Sequence, residues 1–173
     1  MSGRVVAAVD GGPATRAVLD VAAELCDIFD AELDALRVDE RAAPGPTSPL
    51  DGTPLRDVRG AATAVIDEQA VRSEVVAVVL GARTLPGATA TLGHVPDHVI
   101  ANAPGMVVLV PPDLAPECST LDRLLIPVEG DATLSSDAAA VIEAFEASGR
   151  TAIGLHVLNP RTAPAHADRW HDA

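Results

Sequence analysis

Apolar positions in this chain come in short blocks separated by polar turns, and the blocks switch between two spacings. Residues 4–9, RVVAAV, form a continuous apolar run stopped by Asp10-Gly11-Gly12, the pattern of a parallel strand buried on both faces that ends at a loop. Pro13 then opens a predicted helix. Val18, Val21, Ala22, Leu25 and Phe29 fall at i, i+3, i+4, i+7 and i+11 of it, one stripe suited to packing on a sheet face. A second strand is predicted at about 33–38. Residues 39–54 carry four prolines and two glycines without periodicity and predict a loop where another helix would otherwise stand. Beyond it the pattern predicts a weak strand at 55–58, a helix from Gly60 to about Val71 and a strand VVAVVL at 75–80. A glycine- and threonine-rich stretch follows at 81–95, then a short helix at about 95–103 and a strand MVVLV at 106–110, ended by Pro111-Pro112. This alternation of strand and helix predicts an α/β domain on a parallel sheet with right-handed crossovers.

The pattern then restarts. LDRLLIPV at 121–128, followed by Glu129-Gly130-Asp131, repeats the opening at an offset of 119: Arg4 meets Arg123, Val9 meets Val128, Gly11 meets Gly130, Leu36 meets Leu155 and Val38 meets Val157. The helix between, about 135–148, has Ser135 or Ser136 as its N-cap, Ala138, Val141, Ile142 and Phe145 as its stripe, and Gly149 as its stop. Nothing after it matches residues 55–112. A three-element unit is too short to bury a core alone. It either docks on the first unit, meets a counterpart in a dimer, or belongs to a truncated tandem repeat.

Charge narrows the partners. The 173 residues hold 12 basic and 25 acidic side chains, net −13, and every basic one is arginine. A general nucleic-acid or anionic-membrane binder is excluded, because the electrostatic attraction that holds such proteins on phosphate has the wrong sign. No apolar run approaches the ~20 residues that span a bilayer, and the N-terminus reaches Asp10 and two glycines too early for a secretory signal, which predicts a cytoplasmic protein. Cys26 and Cys118 lack metal or redox spacing and read as free thiols. His94 and His98 stand four apart, and His166 and His171 lie near the C-terminus, but neither pair has a cysteine or glutamate at zinc-like spacing. No metal is expected. The absence of G-x-S-x-G argues against a serine nucleophile. Trp170 reads as a docking anchor for an apolar surface.

In an open α/β sheet, ligands bind beyond the carboxyl ends of the strands where strand order reverses. Asp10 ends the first strand and Gly81 ends VVAVVL; if those strands are neighbours, both loops face one crevice. The segments VVAAVDGG, LRV and VVLGARTLPGATATLGHVPDHVIANAPGMVVLVPP together resemble the universal stress protein family, over residues 4–112 and, abbreviated, over 123–158. The resemblance implies a doubly wound parallel five-stranded sheet at 1–112, a linker at 113–120 and a partial βαβ repeat at 121–173. It also implies a regulatory, stress-response role without dedicated catalysis.

In nucleotide-binding members of that family a loop Gly-x2-Gly-x9-Gly-Ser/Thr cradles ATP phosphates, while the first-strand Asp and a main-chain group ending the second strand hold the adenosine. The resemblance carries these roles onto Asp10, Val38, Gly81, Gly93 and His94. Three departures stand out: Thr84 replaces the second glycine, eight residues instead of nine precede Gly93, and His94 replaces the hydroxyl residue. Glycines let backbone N–H groups approach an anion, and the helix after Gly93 offers its positive end; Pro96 removes one donor. Two readings therefore stand side by side, an ATP site and a degenerate loop that only closes the sheet. Asp10 likewise has two, ligand contact or capping of the next helix. Glu129, its counterpart in the repeat, has no phosphate loop and is a poor site candidate. A protein of another class, a non-nucleotide-binding interaction module that dimerises through MVVLV, is the alternative, since exposed edge strands need covering. Weak adenine-nucleotide hydrolysis is a third, lacking a visible base or metal carboxylates.

Overall fold

The computed structural model describes residues 3–39, 50, 52–82, 92–115, 119–128 and 135–156. Two compact units form, Met1–Leu121 and Asp122–Ala173. The first runs β1 (Gly3–Val9), α1 (Thr15–Phe29), β2 (Ala31–Asp39), β3 (Leu55–Arg59), α2 (Ala62–Ala70), β4 (Val75–Gly81), α3 (His94–Asn102) and β5 (Met106–Val110). Its strands order as β3-β2-β1-β4-β5, every neighbouring pair parallel. Strand order reverses between β1 and β4, so the loops after these two strands diverge and leave a crevice at their carboxyl ends.

Alternation along the central strands sorts the core into two layers. Val6, Leu36, Val78 and Leu80 pack against Val65, Ile66 and Ala70 of α2 and Val99 of α3. The opposite face, Val5, Ala7, Ala77 and Val79, is equally buried and is the side met by α1, whose inward stripe is Val18, Leu19, Val21, Ala22, Leu25 and Ile28. Phe29, assigned to that stripe from its spacing, is half-buried; the chain leaves the helix at Asp30, which takes a left-handed φ of 49°. Aspartate tolerates that conformation better than most residues. β3 was a weak strand in the sequence because an edge position lets it keep charge: Asp57 accepts both Nε and Nη2 of Arg37, directly opposite on β2, at 2.7 and 3.0 Å.

Helix starts correct the sequence reading. α1 begins two residues after Pro13, its N-cap Ala14 makes no side-chain cap bond, and the Asp10 carboxylate accepts the Gly12 N–H at 2.8 Å. Asp10 thus closes its own turn, four residues before the N-cap Ala14. α2 begins at Ala62 rather than Gly60. Cys26 on α1 is a free thiol pushed up to about 11 by burial and then by Asp27, which leaves little thiolate at neutral pH. Cys118 and most of the loop 39–54 lie outside the described residues.

The second unit is β6 (Arg123–Val128), α4 (Ser136–Ala147) and β7 (Thr151–His156), with β6 and β7 parallel. Ser135 is the N-cap, its hydroxyl accepting the Ala138 N–H at 3.2 Å, and Gly149 ends the element at φ 79°. Leu125, Ile153 and Leu155 are exposed. Glu129, Val157, His166, Trp170 and His171 are outside the described residues.

Candidate functional site

A crevice of about 320 Å³ lies at the carboxyl ends of β1, β2 and β4. All five residues singled out in the sequence line it: Asp10 after β1, Val38 on β2, Gly81 ending β4, and Gly93 and His94 at the start of α3. They converge because parallel strands end on the same side and the order reversal separates the loops there. The floor is apolar, supplied by Ala8, Val38 and Leu80 from the sheet and Ala62 and Ile66 from α2.

Two helices point their N-termini at this crevice. α1 enters through Gly12–Thr15 and α3 through Gly93–Pro96, and neither has a side-chain cap. The first N–H groups of a helix carry a partial positive charge and lack intrahelical partners, so uncapped ends facing a cavity are suited to anionic or polar oxygens. Gly93 is the N-cap of α3 and His94 its first residue, one earlier than the pattern at 95–103 indicated. Asp97 also lies in that turn but does not line the crevice. Asp10 is therefore the one carboxylate among the described lining residues.

Gly81 is where β4 comes closest to α1: a Cβ there would stand 3.3 Å from the Ala14 Cβ and 3.8 Å from a methyl of Val18. The next residue is tied down as well, Ala82 N–H donating to the Val110 carbonyl at 2.7 Å. The rest of the glycine-rich stretch, with Arg83, Thr84, Pro86 and Gly87, falls in 83–91, outside the described residues.

Two features were missed by sequence reasoning. His98, read only with His94 as a metal pair, contacts Asp67 of α2 through Nε2 at 2.7 Å, a link between α2 and α3 behind the crevice. Its distance of 31 positions leaves no local signal. No cluster of three metal-ligating side chains occurs among the described residues. The second is Thr15, 7% exposed and part of the crevice wall, whose hydroxyl has no hydrogen-bond partner.

No family model matches the chain, and no curated protein does. Solved structures do. The universal stress protein UspA from Lactobacillus plantarum is 20% identical, matching 62% of this chain and 97% of its own at a TM-score of 0.48. A universal stress protein crystallised in complex with cAMP is 22% identical, matching 65% of this chain and 98% of its own at a TM-score of 0.50. Among the described residues no helix is long and apolar enough to cross a membrane. The five-stranded α/β unit, with its strand order and its crevice beyond the carboxyl ends, has the fold of the universal stress proteins.

Proposed function

We propose that this chain is a universal stress protein-like regulatory protein that binds an adenine nucleotide in the crevice and has no dedicated catalysis. The observation that carries the reading is the convergence of Asp10 and two uncapped helix N-termini over one apolar floor. An adenine ring suits the apolar side near Val38, hydroxyl or amine donors suit the Asp10 carboxylate, and phosphate suits Gly93 and His94 at the positive end of α3. That a protein of the same fold is known in complex with cAMP supports the ligand class, with ATP the nucleotide to test first.

Calorimetric titration of nucleotide-stripped protein with ATP and cAMP, paired with melting at saturating ligand, decides it. Saturable binding is expected. At ~100 times the dissociation constant a ligand adds ~2.7 kcal/mol, a melting shift of roughly 5–10 °C for a chain of this size. Asp10→Asn keeps an acceptor for the Gly12 N–H but removes the charge, and affinity should fall about tenfold. No heat and no shift up to millimolar ligand would refute the reading.

One observation favours a second reading, an interaction module. β5 stands at the sheet edge, and MVVLV is an apolar strand that self-pairing would cover. A strict monomer that binds ATP would exclude it.

A further inference from the structure

α3 is nine residues long and buries two of them, Pro96 and Val99. So small an apolar footprint holds the helix on the molecule but leaves its rotation loosely set, because burial is non-directional. A directional contact supplies what is missing. Nε2 of His98 meets Oδ2 of Asp67, on α2, at 2.7 Å. Each side chain is 35% exposed, and a pair that open to water adds little net stability. The second carboxylate oxygen of Asp67 is enclosed and has no hydrogen-bond partner, which costs free energy. The contact therefore matters for geometry more than for stability.

Both helices that it joins build the crevice. α2 gives the floor Ala62 and Ile66, the residue before Asp67, and α3 gives the wall Gly93, His94, Val95 and Pro96. One turn along α3, the His98 ring stands beside that of His94, their centroids 6.3 Å apart and their planes tilted by 51°, within the range of a ring–ring contact. A line of contacts thus runs from Asp67 through His98 to a side chain of the crevice, while His98 itself is not among the described lining residues. We infer that His98 is a positioning residue: tied to Asp67, it sets the first turn of α3 and the His94 ring against the α2 floor, and so governs ligand affinity without touching the ligand. The inference rests on the nucleotide reading of the crevice and names what holds its α3 wall in place.

The test reads the helix and the ligand separately. Amide hydrogen exchange is followed without ligand in the wild-type protein, His98→Ala, Asp67→Ala and His98→Gln, the last keeping an N–H donor near the place of Nε2, and ATP is then titrated into each. In the two alanine variants exchange over α3 should quicken about tenfold and stay unchanged over β1 and β4. Their ATP affinity should weaken about fivefold, and His98→Gln should restore both quantities. In His94→Ala/His98→Ala the loss of affinity should fall short of the sum of the single losses, since one acts through the other. Unchanged α3 exchange in His98→Ala would overturn the tie to Asp67. Faster exchange at wild-type ATP affinity would overturn the positioning role and leave nucleotide binding intact. A His98→Gln protein as weak as His98→Ala would trace the loss to packing and overturn it too. Additive losses with His94→Ala would overturn the route through His94. No ATP binding by the wild-type protein, with α3 exchange still dependent on His98, would overturn the nucleotide reading and the effect on affinity while upholding the tie.

Discussion

Leu36→Ala is expected to destabilise the five-stranded unit by about 3 kcal/mol, within the ~2–5 kcal/mol of buried leucine truncations. Leu36 is 0% exposed and sits on β2 opposite Ala8, packed in the layer with Ile66, Val78, Leu80 and Val99. The surrounding strands are tied to their neighbours on both sides, so they relax little, and the cavity adds to the lost transfer free energy. Against a total of ~5–15 kcal/mol for a domain, that is a large share. Urea unfolding followed by circular dichroism measures it as a lowered midpoint at unchanged slope. Leu155→Ala supplies the contrast. Leu155 occupies the same place in the repeat but is 42% exposed, and its loss should stay within ~0.5 kcal/mol. A cost below ~1 kcal/mol for Leu36→Ala would contradict the described core.

That contrast shows what the sequence carries and what it leaves open. An offset of 119 equates Leu36 with Leu155 and predicts two strands of one kind, which form as β2, parallel to β1, and β7, parallel to β6. Burial does not follow from the equation. Leu36 has neighbours on β1, β4, α2 and α3, whereas among the described elements of the second unit there are only two strands and one helix. The site was legible for a related reason. Buried parallel strands are written as unbroken apolar runs, so their ends stand out, and Asp10, Val38, Gly81, Gly93 and His94 are strand-end or helix-start residues that topology alone brings together. Helix starts were less legible. Pro13 fits a first helical position, yet two preceding glycines leave Asp10 free to bond the Gly12 N–H. Thr15 and Asp67 were silent because their importance comes from packing across elements. One is buried at the start of α1, and the other meets His98 from a neighbouring helix.

Gly81 links the fold to the proposed ligand, and filling it is expected to produce the largest loss of binding. Its φ lies outside the left-handed region, so the backbone itself tolerates any residue. The constraint is space. A Cβ at 3.3 Å from Ala14 requires the first turn of α1 to yield by a few tenths of an ångström, and that turn forms one wall of the crevice. Gly81→Ala should cost ~1 kcal/mol of stability and Gly81→Val nearer ~3 kcal/mol, the range of overpacked sites. Binding should suffer as well as stability, because the added methyls sit where β4 meets the first turn of α1, which forms one wall of the crevice. ATP affinity is expected to fall by more than ~100-fold in Gly81→Val, ~2.8 kcal/mol. Ala14→Gly removes the opposing methyl at a position where glycine is an acceptable N-cap. The double variant Ala14→Gly/Gly81→Ala should then recover most of the affinity that Gly81→Ala loses, a coupling that calorimetry reads from the four proteins of the cycle. Additive losses would mean that the contact between β4 and α1 does not shape the binding site. Gly81→Val binding ATP within threefold of wild type would place the nucleotide somewhere other than this crevice.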